Sequence, residues 1–374
     1  MVKHDFQIQS ATNIKEIVDC VEEGTYGESS AFLINFFDSL PDSPAMDYLR
    51  TMCIPFLFHD FEKNVESSRE AVAGFSSTLI TLKEKTEKLL QTDSWQVLVS
   101  GALENATYVN FGKEVKELTG QHYGTLFKAF DAISYFEEAK KLLLDRLSRN
   151  SIEFHDLTDK KLLDQGCGGG RYTAAWKLLG TGHCTGLDFS EIGLEDARLR
   201  ANQAGFSNIE FIKGSVLEMP FDDESFDIVY SNGVLHHTED WKKGISEQLR
   251  VLRSGGWGWQ YLIEKPGGIF WDQIEILRAI MKNVPKTFAQ QVMRGMGIPA
   301  NRIFYMLDHV MVPINTRLTE EELYQELEKN GSIGIKRLTR GTDFDRVEAI
   351  YRNVPYAKEK FGIGENRFVF SKKS

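Results

Sequence analysis

Cysteine is scarce. Cys20, Cys53, Cys167 and Cys184 are the whole complement of a 374-residue chain. No two of them stand in C-x-x-C spacing, so neither a zinc cage nor a disulfide framework is expected, and no metal ligand set can be assembled from sequence. Proline is also rare, at 9 residues, while 42% of the chain is hydrophobic and 26% charged. That excludes a disordered or collagen-like polymer. Long apolar runs are missing: nothing approaches the ~18 residues needed to span a bilayer, and the first residues lack a signal-peptide core. An excess of positive charge is missing too. The formal net charge is −10, so no global field draws the chain to nucleic acid or anionic lipid. A reduced, soluble, cytoplasmic protein is the expectation, with no nucleic acid and no membrane among its partners.

What is present is enough chain for about two to two and a half domains at ~150 residues each. Residues 1–150 show helical periodicity almost throughout, with apolar positions at three- and four-residue steps in 31–37, 71–90 and 135–147. From 151 the grammar changes. Short apolar segments at 160–164, 183–188, 209–212, 226–230 and 257–263 alternate with helical stretches at 171–179, 191–204 and 241–252. Such alternation implies βαβ units and a parallel sheet covered on both faces. A helical insert with a dense aromatic face (Phe270, Trp271, Phe288, Phe304, Tyr305) is expected at 265–316. Thr319 with Glu322 three residues on reads as a capping box, and strands near 333–338 and 367–371 close the chain. The expected division is a helical region 1–150 and an α/β domain 151–374.

Chemistry concentrates after the first strand. There Asp164 precedes glycines at 166, 168 and 170. Glycine is required where a ligand must approach the main chain within contact distance, and the following helix start suits an anionic group. The dinucleotide pattern G-x-G-x-x-G is not met, because Arg171 stands at its third glycine. The sequence LLDQGCGGG at 162–170 instead resembles the first motif of the class I S-adenosylmethionine-dependent methyltransferases. Further segments resemble that family in order: the second strand ending in Asp188, then 213–221, 225–237 and 249–257. The wording is most similar to the branch that methylates small molecules, quinone precursors included.

The resemblance implies a doubly wound, mostly parallel seven-stranded Rossmann-like sheet that binds S-adenosyl-L-methionine. It implies cofactor contacts from Asp164, Gly166, Cys167, Gly168, Gly170, Asp188, Phe189, Ser215, Val216 and Asn232. Asp188 would hold both ribose hydroxyls. Ser215 departs from the family, where an aspartate that accepts from the adenine amino group is common. Serine is the weaker acceptor. Cys167 has no basic partner in sequence, so packing accounts for it better than nucleophilic chemistry. The segment before the first strand would close as a lid, with Tyr123 toward the sulfonium.

On the acceptor side His236 and His237 follow the fourth strand, where either a general base or a wall of the cofactor site is expected. His309 is a further candidate base. Arg340 or Arg346 either sits in a solvated face or grips an acidic group of the substrate. The expected function is transfer of a methyl group to O, N or S of a small molecule. An RNA or protein methyltransferase and a nucleotide-dependent oxidoreductase are the alternatives. The helical region could also pair subunits in a homodimer.

Overall fold

A computed structural model describes residues 26–65, 71–99 and 131–374. Within them the chain forms two compact units. One joins residues up to 99 with 266–315 and 355–362; the other joins 131–265 with 316–354 and 363–374.

The second unit is built on a seven-stranded sheet: β1 (Lys161–Gln165), β2 (His183–Asp188), β3 (Ile209–Lys213), β4 (Phe226–Asn232), β5 (Leu252–Leu262), β6 (Ser332–Arg337) and β7 (Asn366–Lys372). Their order across the sheet is β3-β2-β1-β4-β5-β7-β6. The first five run parallel, and β7 is antiparallel to both β5 and β6. Each strand and helix expected in this region is present within a few residues, except that β5 begins at Leu252 rather than at 257. Its register against β4 shifts between Phe226 and Ile228, and Gly255 takes a left-handed φ of 72° in the added stretch. Glycine tolerates that conformation at little cost.

Successive residues in a strand face opposite sides, so two buried apolar neighbours require cover on both faces. Leu163, Leu187, Val229, Ile245, Leu249, Leu323 and Phe368 form the core on one face. Leu162, Cys184, Ile228, Tyr230 and Trp259 form the other, with Trp176 from the helix Arg171–Leu178 and Leu143 and Leu147 from the helix Glu138–Arg149. Helix starts are fixed by caps. The Ser190 hydroxyl accepts from the Gly193 N–H at 3.3 Å, Asp240 accepts from Lys243 at 3.0 Å, and the capping box of Thr319 and Glu322 is complete.

The first unit is helical: Gly27–Ser39, Pro44–Asp60, Ala71–Leu90, Asp93–Leu98, Gly268–Ile280, Lys286–Gly295, Ala300–Val310 and Ala357–Phe361. All 13 residues of Gly268–Ile280 are buried, as suits a helix apolar nearly all round. Two of its polar residues, Asp272 and Arg278, take distant partners. The Tyr26 hydroxyl donates to Asp272 at 2.5 Å, and buried Arg278 donates to the carbonyls of Val310 and Val312 at 3.2 and 2.8 Å.

These units do not follow a linear cut at residue 150. The insert clusters with the amino-terminal helices, whereas residues from 131 onward belong with the sheet. The apolar side of Glu138–Arg149 explains the second assignment, since Ala139, Leu143 and Leu147 enter the sheet core. Among the described residues, no helix is long and apolar enough to cross a membrane.

Candidate active site

The chain steps outward from β1 to β3 in one direction and then returns through β4 and β5 on the other side. Strand order therefore reverses between β1 and β4, and doubly wound sheets bind ligands beside the carboxyl ends of such strands. Residues 165–170 after β1, 188–190 after β2, 215–216 after β3 and 232–237 after β4 all lie at that edge.

The glycine turn is held tightly. Gly166, Gly168 and Gly170 have φ of 81°, 57° and 75°. A Cβ on Gly166 would come within 2.3 Å of Val234, and one on Gly170 within 2.5 Å of Phe211. The loop needs glycine at these two places both for its backbone conformation and for its packing. The N–H groups of Gly166 and Cys167 donate to the Leu187 carbonyl at 2.8 and 2.9 Å. Asp188 accepts from the Gly168 N–H and, with its other oxygen, from the Ser190 N–H, each at 2.8 Å. Asp188 thus joins the glycine turn to the turn after β2, while Ser190 caps the next helix.

Asp164 is 3% exposed and accepts from the Thr173 hydroxyl at 2.7 Å. Burial pushes its carboxyl up to about 7, and the charge of Asp188 adds to that. Burial also raises Asp188, against the pull of the backbone N–H groups it accepts from. Two acids, one buried and one half-buried, therefore flank one loop, and no ion pair links either to a cation among the described residues. A ligand bearing positive charge and hydroxyl donors fits this set, and S-adenosylmethionine carries both.

Other expected positions vary in what surrounds them. Phe189 is 43% exposed directly after Asp188, which leaves ring surface for a ligand. The Ser215 oxygen accepts locally from the Leu217 N–H at 3.2 Å, and the Val216 carbonyl accepts from Gln165 at 3.3 Å. Asn232 accepts from the Trp259 indole at 3.2 Å through Oδ1, so its amide N–H groups remain the donors of that side chain. Cys167 is buried with its thiol pushed well above the usual range by burial, which suits packing and not a nucleophile.

His236 is 3% exposed, and its Nδ1 accepts from the Ile263 N–H at 3.2 Å. That bond fixes the neutral tautomer with hydrogen on Nε2, so His236 is arranged to donate there. The His237 ring lies 4.2 Å from it, edge to face. His309 belongs to the helical unit, where its Nδ1 is 2.8 Å from the Tyr305 carbonyl and its ring meets Trp271 and Phe270. Both arginines have partners within the sheet unit. Arg340 donates to Glu348 at 3.0 and 2.9 Å, and Arg346 donates to Glu264 at 3.1 and 2.9 Å. Tyr123 lies outside the described residues.

Two residues at the site were not legible in sequence. Thr173 binds Asp164 from one turn into the following helix, and Tyr135 donates its hydroxyl to the Gly169 carbonyl at 2.5 Å. Tyr135 reads as one more apolar position in a helical stretch, and the only available signal was an aromatic ahead of β1. Arg171, which breaks the dinucleotide pattern, donates through Nε to the Ser134 carbonyl at 2.8 Å.

A methyltransferase-domain family model matches residues 163–259. The demethylmenaquinone methyltransferase of Listeria welshimeri is 39% identical over 101 residues, which is 25% of this chain and 41% of that protein. The Bacillus subtilis enzyme of the same name is 39% identical over 98 residues, 26% of this chain and 42% of its own. The chain therefore spans about two fifths of the length of the curated relatives it matches. A solved geranyl diphosphate C-methyltransferase from Streptomyces coelicolor aligns at a TM-score of 0.38 and 16% identity, covering 63% of this chain and 78% of that one. The methyltransferase-domain match runs from β1 into β5, through the loops that carry both acids, and covers about a quarter of the chain.

Proposed function

We propose that this chain transfers the methyl group of S-adenosylmethionine to an O, N or S atom of a small-molecule acceptor. The observation that carries the donor half is the pair of carboxylates, buried Asp164 and half-buried Asp188, either side of a left-handed glycine loop and without a cationic partner among the described residues. For the acceptor half, the net charge of −10 weighs against RNA, and the curated relatives are named for a small acceptor, demethylmenaquinone.

The bound donor supplies an already activated methyl group on a sulfonium, so the protein's work is alignment, exclusion of water and proton management. Asp188 accepts from the ribose hydroxyls with the lone pairs its backbone bonds leave over. Asp164 balances the positive amino group. Phe189 would offer a ring face to the adenine, Ser215 and Val216 would hold its polar atoms, and Asn232 would donate from the end of β4. Gly166, Gly168 and Gly170 admit the ligand close to the backbone, and Cys167 fills the space beneath. His236, locked as an Nε2–H donor, orients an acceptor oxygen or nitrogen. His237 then takes the base role where the acceptor must lose a proton.

Incubation with a metabolite extract and methyl-labelled donor tests the acceptor half. Label is expected in a small product. Label confined to RNA or protein would overturn it.

A further inference from the structure

The cofactor loop has a weakness that its composition creates. Glycine has more freedom to lose than any other residue, and 168–170 are three in a row. Each residue fixed costs about 1–2 kcal/mol of backbone entropy. A loop left to order itself on binding would charge that cost to cofactor affinity.

The turn Ile133–Glu137, ahead of β1, meets this loop at two reciprocal points. The Tyr135 hydroxyl donates to the Gly169 carbonyl at 2.5 Å, and the Arg171 Nε donates back to the Ser134 carbonyl at 2.8 Å. The peptide between Gly169 and Gly170 is thereby pinned at both ends, because the Gly170 N–H donates to the Cys167 carbonyl at 2.9 Å. The tyrosine is itself held. It is 1% exposed, its ring lies 4.6 Å beneath the Arg200 guanidinium, and Asp196 fixes that arginine at 2.8 Å. The turn is anchored by Asp131, which accepts from the Ser134 N–H at 2.7 Å.

We propose that Tyr135 is a positioning residue for S-adenosylmethionine: its bond to Gly169, with the Arg171–Ser134 bond, holds the glycine loop in its binding conformation before the cofactor arrives. The inference rests on the cofactor assignment above. Removing the hydroxyl leaves the Gly169–Gly170 peptide held only through the Gly170 N–H, and leaves the Gly169 carbonyl without its tyrosine partner.

The test is titration calorimetry with S-adenosylhomocysteine on the full chain, on Tyr135→Phe and on Arg171→Met, alongside peptide-level hydrogen exchange. Each variant is expected to bind roughly tenfold more weakly, the worth of one buried hydrogen bond. Exchange should rise in the peptide covering 166–171 and stay unchanged in those covering β4 and β5. Wild-type affinity in both variants would overturn the latch while leaving the cofactor assignment intact. So would exchange rising equally throughout the sheet, because that is a general loss of stability. A wild-type chain that fails to bind would overturn the cofactor assignment and the latch with it. Should Tyr135→Phe not fold, Arg171→Met alone decides the outcome.

Discussion

Asp164 and Gly166 show how much single residues at this site depend on their surroundings. Asp164 titrates near 7 instead of near 3.8 because it is buried, so the folded chain holds its proton more tightly than the unfolded chain. The contribution of this group to ligand-free stability therefore falls as pH rises from about 4 to about 7. A ligand with a positive amino group favours the ionised form. Binding of S-adenosylhomocysteine is expected to tighten as pH rises through about 7 and to release a proton, read by calorimetry in buffers of different ionisation enthalpy. Affinity flat between pH 6 and 8 would contradict the role given to Asp164. For Gly166→Ala, the left-handed φ and the overlap with Val234 predict a loss of about 1–3 kcal/mol in urea unfolding. The residue types at this loop were legible because an acid and three spaced glycines are chemically specific. Tyr135 was not, because its hydroxyl reaches the loop from a separate element, and Thr173 was not, because a lone threonine in a helical stretch carries no chemical signal of its own.

Elements follow their local rules closely where those rules are strong. The capping box of Thr319 and Glu322 was readable from two residues, and the bonds are present at 2.8 and 3.1 Å. Thr319→Ala is expected to lower stability by about 1 kcal/mol, measured as a shift in the urea midpoint. The loop between β6 and β7 was read as mixed charge, and its burial could not be foreseen. Asp345 accepts from Arg146 at 2.8 and 2.9 Å and from Arg367 at 3.1 Å, all three side chains being nearly buried. Burial alone would raise its carboxyl, but Arg367 and Arg146 hold it below the usual range. Its stabilisation is therefore present above the unfolded value of 3.8 and lost at lower pH. Asp345→Asn leaves two buried guanidiniums short of an anion, and a loss of about 3–5 kcal/mol is expected in thermal or urea unfolding. Loss below 1 kcal/mol would show the cluster to be well solvated.

At the scale of the whole molecule, periodicity identified helices and strands but not which segments share a body. The insert between β5 and the helix Glu320–Lys329 was expected as an appendage of the sheet domain, yet it clusters with the amino-terminal helices, which all lie before residue 99. Contacts so distant in sequence leave no periodic trace, whereas a βαβ series is built from neighbours. Negative charge bears on the acceptor and the acid–glycine loop on the donor, so the donor is the claim to test first. Titration of S-adenosylhomocysteine into the purified chain and into Asp188→Asn tests it most directly. One saturable site is expected for the wild type, weakened about tenfold or more in the variant, since hydrogen bonds to a charged acceptor are worth about 1.5–3 kcal/mol. A wild-type chain that takes up no S-adenosylhomocysteine, or a variant that binds it equally well, would contradict the account.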